Sequence, residues 1–228
     1  IARFGINRRN NDQDKVPDLF ELKGPSDTSV PVFKITSATG TVLGIIFGYA
    51  CHPTVLSGYD YSGDYPGFAQ IELEKLYPNA QAMFFLGAAG DQNPLPRRSL
   101  GLAKQYGKEL AAAVERVLEE PMITLQPTLK TAYSEINLGL LPAPEADHLK
   151  KMVDGNTGYI QSWAKRMLDL TNKGVQHPSN YPYPVQIWML GNRPLFSLGG
   201  EVTIEYTIKL KQMFGKNIFV AAYTNDVM

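Results

Sequence analysis

The chain has 228 residues, of which 44% are hydrophobic and 19% charged, and its formal net charge is +0. That length can bury one sizeable core. The charge balance leaves no basic footprint for nucleic acid and no polybasic membrane patch, no apolar run approaches the ~20 residues that span a bilayer, and the single cysteine, Cys51, excludes an internal disulfide framework.

Residues 2–6 alternate like a strand and lead into the polar run Asn7-Arg8-Arg9-Asn10-Asn11. A solvated turn accounts for that run, and so does a contact with an anion or carbonyl, for which Arg offers a fixed fork of donors. Residues 18–22 and 30–35 read as strands separated by a turn rich in Gly, Pro and Ser. Thr39-Gly40 is the next turn, and residues 42–50 form the central strand, apolar enough from Val42 to Phe47 to be buried. It ends at Cys51-His52-Pro53, where the proline stops the ladder. A turn carrying Gly63 then delivers Asp64 to a helix over 66–77, with Pro66 in its first turn. Polar groups at the mouth of an α/β sheet are where ligands bind. A hydrogen-bonded histidine beside a helix cap explains the same residues without any ligand.

Residues 82–86 read as a second buried strand, running into the small-residue loop Gly87-Ala88-Ala89-Gly90-Asp91-Gln92-Asn93-Pro94. Its glycines allow close backbone approach, but no Gly-Lys-Ser/Thr follows, so it is not a phosphate loop. The longest helix is expected over 100–119, with Leu102, Ala103, Tyr106, Leu110, Ala113, Val114 and Val117 at core spacing and Pro121 as its stop. Residues 128–141 alternate as a long strand. A short helix over 144–153 and a second one from Thr157 to Gly174 follow. They carry His148 and flank His177, which lack a ligand-spaced partner and read as surface residues. Strands at 185–190 and 195–198 are joined by a Gly191-Asn192 hairpin. Gly199-Gly200-Glu201 hands over to a helix across 202–214, and a carboxylate is favoured at such an N-terminus. Residues 218–222 form the last strand. The alternation of apolar strands and amphipathic helices implies an α/β fold, with a mostly buried mixed sheet flanked by helices.

Four stretches, in this order, resemble the neutral ceramidase family of zinc amidohydrolases. They are Ile6-Asn7-Arg8; Ala50-Cys51-His52-Pro53-Thr54 with Ser62-Gly63-Asp64 and Gly67-Phe68-Ala69; Ala89-Gly90-Asp91-Gln92-Asn93-Pro94; and Gly199-Gly200-Glu201 with Ala222-Tyr223-Thr224-Asn225. The resemblance covers the whole chain as the central-to-late part of that family's catalytic domain, and residues 1–228 are expected to be a single domain cut at both ends. It implies a zinc-hydrolase-like site at the strand ends, with zinc held by two histidines, a glutamate and a tyrosine. His52 matches the second histidine and Glu201 the glutamate. The first histidine would lie before Ile1. The tyrosine would follow Asn225 by a few residues, so nearby Tyr223 does not match it. Arg8 matches an arginine that contacts substrate, and with His52 and Glu201 it makes the expected catalytic set. Asp64, Gly90, Asp91 and Asn93 are the expected substrate-binding residues, Asn93 standing where the family has serine.

The implied activity is zinc-dependent hydrolysis of the N-acyl amide of a ceramide-like lipid. Zinc lowers the pKa of a bound water from ~15.7 towards ~7, and the hydroxide attacks an amide carbonyl whose oxyanion the metal and an arginine stabilise. With only His52 and Glu201 matching, this stretch by itself is expected to hold Zn2+ weakly or not at all and to be inactive unless the missing segments associate with it. His52 and Glu201 are expected to converge on one point, with Asp64, Gly90 and Arg8 lining the same cleft. Relatives of this kind imply a secreted or periplasmic home, with a small-molecule or lipid substrate and no nucleic acid. The alternatives are a zinc hydrolase of another amide or ester, a non-catalytic binding homologue, and a cysteine hydrolase using Cys51 and His52. Adjacent strand residues point to opposite faces, which opposes the last of these.

Overall fold

A computed structural model describes residues 1–12, 15, 18 and 21–227. The chain divides into two compact units, residues 1–133 with 184–228, and residues 134–183. The fold is α/β with mixed sheets and flanking helices. Among the described residues the expected, mostly buried mixed sheet is instead three separate sheets, in the strand orders β1-β5, β2-β3-β4 and β6-β7-β8-β9.

In the first unit, β1 (Gly5–Asn7) pairs antiparallel with β5 (Gln92–Pro94), setting Asn7 opposite Gln92. β2 (Val32–Thr36) and β3 (Val42–Tyr49) are antiparallel, and β3 is parallel to β4 (Gln81–Leu86). A parallel pair needs a crossover, and α1 (Asp64–Leu76) supplies it. The expected strand at 18–22 falls partly on Leu19 and Phe20, which lie outside the described residues.

The second helix, α2 (Leu100–Glu119), has the bounds its apolar spacing predicts. Ser99 caps it by accepting from the Leu102 N–H, and Ala103, Tyr106, Leu110 and Val114 face inward. The two helices pack closely at Gly107, where a Cβ would collide with Phe68 Cβ and stand 3.0 Å from the Ala69 nitrogen. The core of this unit holds Ile45, Phe47, Tyr49, Tyr65, Leu73 and Leu110. Phe4 stacks on Tyr106 with ring centroids 4.5 Å apart and meets Tyr49 and Tyr65 edge-on at 4.9 Å.

Three of these ring systems carry buried hydroxyls. Tyr49 Oη donates to the Ala2 carbonyl, Tyr65 Oη to the Cys51 carbonyl and Tyr106 Oη to the Pro96 carbonyl. Burial raises the Tyr49 and Tyr65 phenols well above their ordinary value and lifts Tyr106 to about 12. A phenolate could neither donate to these carbonyls nor be hydrated there. In the unfolded chain the same phenols ionise near ~10. Their contribution to stability is therefore fully present below about pH 10 and is lost as pH rises towards the raised folded values. Melting curves against pH, with tyrosinate absorbance followed in parallel, are expected to show a flat Tm up to about pH 10 and a cooperative alkaline loss above it. Gradual tyrosinate formation without unfolding would contradict this.

The third sheet begins with β6 (Leu129–Gly139), β7 (Asn180–Leu190) and β8 (Arg193–Leu198), the last being antiparallel to β7. Every residue of β6 is exposed, against the expectation of a mostly buried sheet and of an alternating strand over 128–141. β8 is parallel to β9 (Phe219–Ala221). In the second unit, α3 (Ala146–Gly155) and α4 (Gly158–Asn172) form a helical hairpin that buries Leu149 and Ala164. His148 is exposed there, whereas His177 is half-buried with Nε2 3.0 Å from Thr171 Oγ1. The helix expected over 202–214 is α5 (Ile204–Phe214), back in the first unit.

Candidate functional site

β3 ends at Tyr49, and the chain turns so that His52 is held twice by one carbonyl. The Gln92 oxygen accepts the His52 backbone N–H at 3.0 Å and lies 2.9 Å from ring Nδ1. A carbonyl can only accept, so Nδ1 carries a proton, and in a neutral ring Nε2 is the acceptor. That Nε2 lies 2.9 Å from Tyr223 Oη and 3.4 Å from Glu201 Oε1. His52 is 9% exposed, while the Glu201 side chain is 57% exposed, so the pair opens to solvent on the glutamate side.

Arg8 closes the group. Its Nη2 donates to the Gly90 carbonyl at 2.7 Å and stands 3.5 Å from Glu201 Oε2. The β1–β5 pair places it there, because the Arg8 backbone N–H bonds the Asp91 carbonyl at 2.8 Å. Gly90 has no room for a side chain: a Cβ would fall on the Glu201 carbonyl oxygen and 3.0 Å from the Val202 carbon. Its N–H bonds the Val202 carbonyl at 2.9 Å. Two distant loops are thus locked backbone to backbone.

Asp91 is 5% exposed and its carboxylate is fully engaged. Oδ1 accepts from the Ile204 N–H at 2.9 Å and from Gln92 Nε2 at 3.1 Å, and Oδ2 accepts from Asn7 Nδ2 at 3.0 Å. The N-cap residue of α5, Thr203, makes no side-chain cap. Asp91 therefore supplies, from another part of the chain, the anion that a helix N-terminus favours. Asp64 is spent in a similar way, accepting from the backbone N–H groups of Val55, Leu56 and Tyr65. Asn93 is buried in β5 opposite Ile6. The structure brings Arg8, His52, Gly90 and Glu201 to one point. Asp91 stands behind them, and Asp64 organises the turn after His52.

Tyr223 is the site residue that sequence offset set aside. It sits at φ 57° and its N–H bonds the Gly200 carbonyl, the residue before Glu201. Burial and the charge of Glu201 push its phenol up to about 12, against the lowering pull of the Arg8 guanidinium. It therefore remains a donor at neutral pH, within reach of both His52 Nε2 and the Glu201 carboxylate. The only advance signal was the placement of Tyr223 directly after a strand end.

This donor set does not fit a zinc ion. Among the described residues no group of three or more His, Cys, Asp or Glu side chains could hold a metal. Only His52 and Glu201 meet, whereas Asp64 and Asp91 are consumed by N–H donors. The zinc-hydrolase-like site, the Zn2+ cofactor and the zinc-dependent amidohydrolase activity implied by the sequence resemblance are therefore corrected. The expected metal pair His52 and Glu201 is a close polar contact in this structure, with Nε2 3.4 Å from Oε1. The cysteine hydrolase alternative fails as well. Cys51 is 0% exposed, and burial, then the charge of Asp64, raises its thiol well above the ordinary value, so no thiolate nucleophile is available.

No protein-family model matches the chain, and no curated protein matches it. Among solved structures it is similar to the neutral ceramidase from Pseudomonas aeruginosa, with a TM-score of 0.67 and 15% identity over 100% of this chain and 45% of that one. The fold is ceramidase-like. A ceramidase complexed with C2 matches equally, with a TM-score of 0.67 and 15% identity over 98% of this chain and 45% of the other. This chain thus spans less than half the length of the ceramidases it matches. At 15% identity the likeness concerns the ceramidase-like fold and not its chemistry. Among the described residues no helix is long and apolar enough to cross a membrane.

Proposed function

We propose that this chain is a non-catalytic, ceramidase-like binding homologue that holds the polar end of a small lipid-like ligand at Arg8, His52, Glu201 and Tyr223. The observation that carries this reading is the convergence on His52 Nε2. A ring fixed at Nδ1 offers a buried acceptor, an exposed carboxylate lies 3.4 Å from it, and a guanidinium lies beyond. Such a group recognises hydroxyl and amide hydrogens through acceptors and a carbonyl through Arg8. It has no nucleophile of its own, and its carboxylates other than Glu201 serve the framework. Asp64, Gly90, Asp91 and Asn93 act on this reading as the frame that sets the contact residues. The 45% coverage of the ceramidases supports reading residues 1–228 as one part of a longer ceramidase-like domain. An extracellular or periplasmic home accompanies that reading.

The test is calorimetric titration with a water-soluble, short-chain N-acyl amino alcohol, with and without a chelator, alongside an assay for released fatty acid. Saturable binding that ignores the chelator, with no fatty acid released, is the expected result. His52→Ala is expected to weaken binding by about tenfold or more, since one buried polar contact is worth ~1.5 kcal/mol. Turnover that appears on adding zinc, or failure to bind at any accessible concentration, would overturn the proposal.

A further inference from the structure

A second polar site is lined by Thr207 and Lys211 of α5 and does not include His52, Glu201 or Tyr223. It is a cavity of about 20 Å³, lined by Asp27, Ser29, Tyr49, Thr207, Lys211 and Val220 among others. Thr207 and Lys211 are four residues apart on α5 and share a face. Lys211 Nζ donates to Asp27 Oδ2 at 2.6 Å and to Ser29 Oγ at 2.8 Å. An ammonium carries three N–H groups, so one more remains to be placed.

Thr207 is 4% exposed, and its Oγ1 finds no hydrogen-bond partner in the protein. Hydroxyls inside helices usually turn back to the carbonyl four residues earlier. Among the described residues Ser162 Oγ donates in this way to the Gly158 carbonyl at 3.0 Å and Thr171 Oγ1 to the Met167 carbonyl at 2.9 Å. Thr207 does not take that route. A buried hydroxyl left unpaired is costly, and the cavity it lines already holds a cation and a second hydroxyl.

We propose that this cavity binds a single ordered water that joins Thr207 Oγ1 to the Lys211 ammonium. The water accepts the third Lys211 N–H and exchanges a hydrogen bond with Thr207. The size agrees, because one water needs roughly 10–15 Å³ of such space and 2–4 polar partners, and Thr207, Lys211 and Ser29 line it. The bridge fastens the middle of α5 to the segment carrying Asp27 and Ser29, independently of what the His52 site binds.

The experiment combines a high-resolution crystal structure of the whole chain with thermal melts of Thr207→Val, which keeps the shape and removes the hydroxyl. The expected results are a water peak within hydrogen-bond distance of Thr207 Oγ1 and Lys211 Nζ, and a Tm lowered by about 2–4 °C in the variant. If the hydroxyl were truly unpaired, its removal would relieve a burial cost and raise the Tm. An unchanged or raised Tm overturns the proposal, as does a structure in which Thr207 Oγ1 bonds the Thr203 carbonyl or the cavity is dry.

Discussion

Replacing Asp91 with Ala is expected to destabilise the chain by about 3–5 kcal/mol, the cost of leaving several buried donors without a charged acceptor. The donors are the Ile204 N–H and one N–H each from the Gln92 and Asn7 amides. Both amides give a further bond to the same Pro25 carbonyl, at 3.2 Å each. Asp91 and Pro25 therefore clamp the Asn7–Gln92 pair from two sides, and that pair sets the carbonyl that holds His52. Loss of the clamp should lower the Tm by roughly 10 °C and loosen the His52 ring. Asp91→Asn is the informative companion. It preserves shape, but its amide turns a donor towards at least one existing donor, so it is expected to recover little. Chemical denaturation of both variants decides the matter: if Asp91→Asn were as stable as the parent, the carboxylate would be ordinary packing.

Gly90→Ala is expected to abolish ligand binding while leaving most of the fold intact. The added Cβ meets the Glu201 carbonyl and the Val202 carbon, both backbone atoms. A side chain could rotate away, but a peptide group can only move with its loop. The Glu201 loop must then withdraw, breaking the Gly90–Val202 hydrogen bond and parting Glu201 from His52 and Arg8. Separating a 3.4 Å contact by even ~1 Å takes it beyond hydrogen-bonding range. Gly107→Ala is the control. Its Cβ is equally unwelcome, but at the α1–α2 packing surface against Phe68 and Ala69. It should cost about 1–3 kcal/mol as overpacking and leave affinity for the short-chain ligand near that of the parent. Titration and denaturation of the two variants should therefore separate. Equal loss of affinity in both would mean that the site has no special dependence on the Gly90–Glu201 contact.

The zinc expectation failed for a reason visible at particular residues. Sequence motifs identify donors by type, but coordination depends on whether their lone pairs are free. Asp64 and Asp91, expected as substrate-binding residues and not as metal ligands, lie in motifs shared with the ceramidase resemblance and give their oxygens to backbone N–H groups, so neither adds a ligand to His52 and Glu201. What remains at the convergence point among the His, Cys, Asp and Glu side chains is one imidazole and one carboxylate, with the protonated Tyr223 phenol beside them, fewer than the three such ligands a zinc site needs.

Local interactions are written in the chain by themselves. The spacing of Ala103, Tyr106, Leu110 and Val114 specifies α2 because a helix satisfies its hydrogen bonds within four residues and its core face repeats every ~3.6. The apolar runs of β3 and β4, and the turns behind them, follow from equally short-range rules. His52 and Glu201 stood out because each follows an apolar strand into a marked turn. Tertiary structure alone decided the rest. His52 meets Glu201 across 149 residues of sequence and Tyr223 across 171. Those meetings depend on the β1–β5 pairing, the α5 N-terminus held by Asp91 and the parallel β8–β9 pair, none of which leaves a periodic trace. The positive φ of Tyr223, the division into three sheets and the exposure of β6 are likewise outcomes of which surfaces found partners. A residue's chemistry is fixed by its side chain, but its availability is fixed by neighbours brought from elsewhere in the chain, and that is information no single stretch contains.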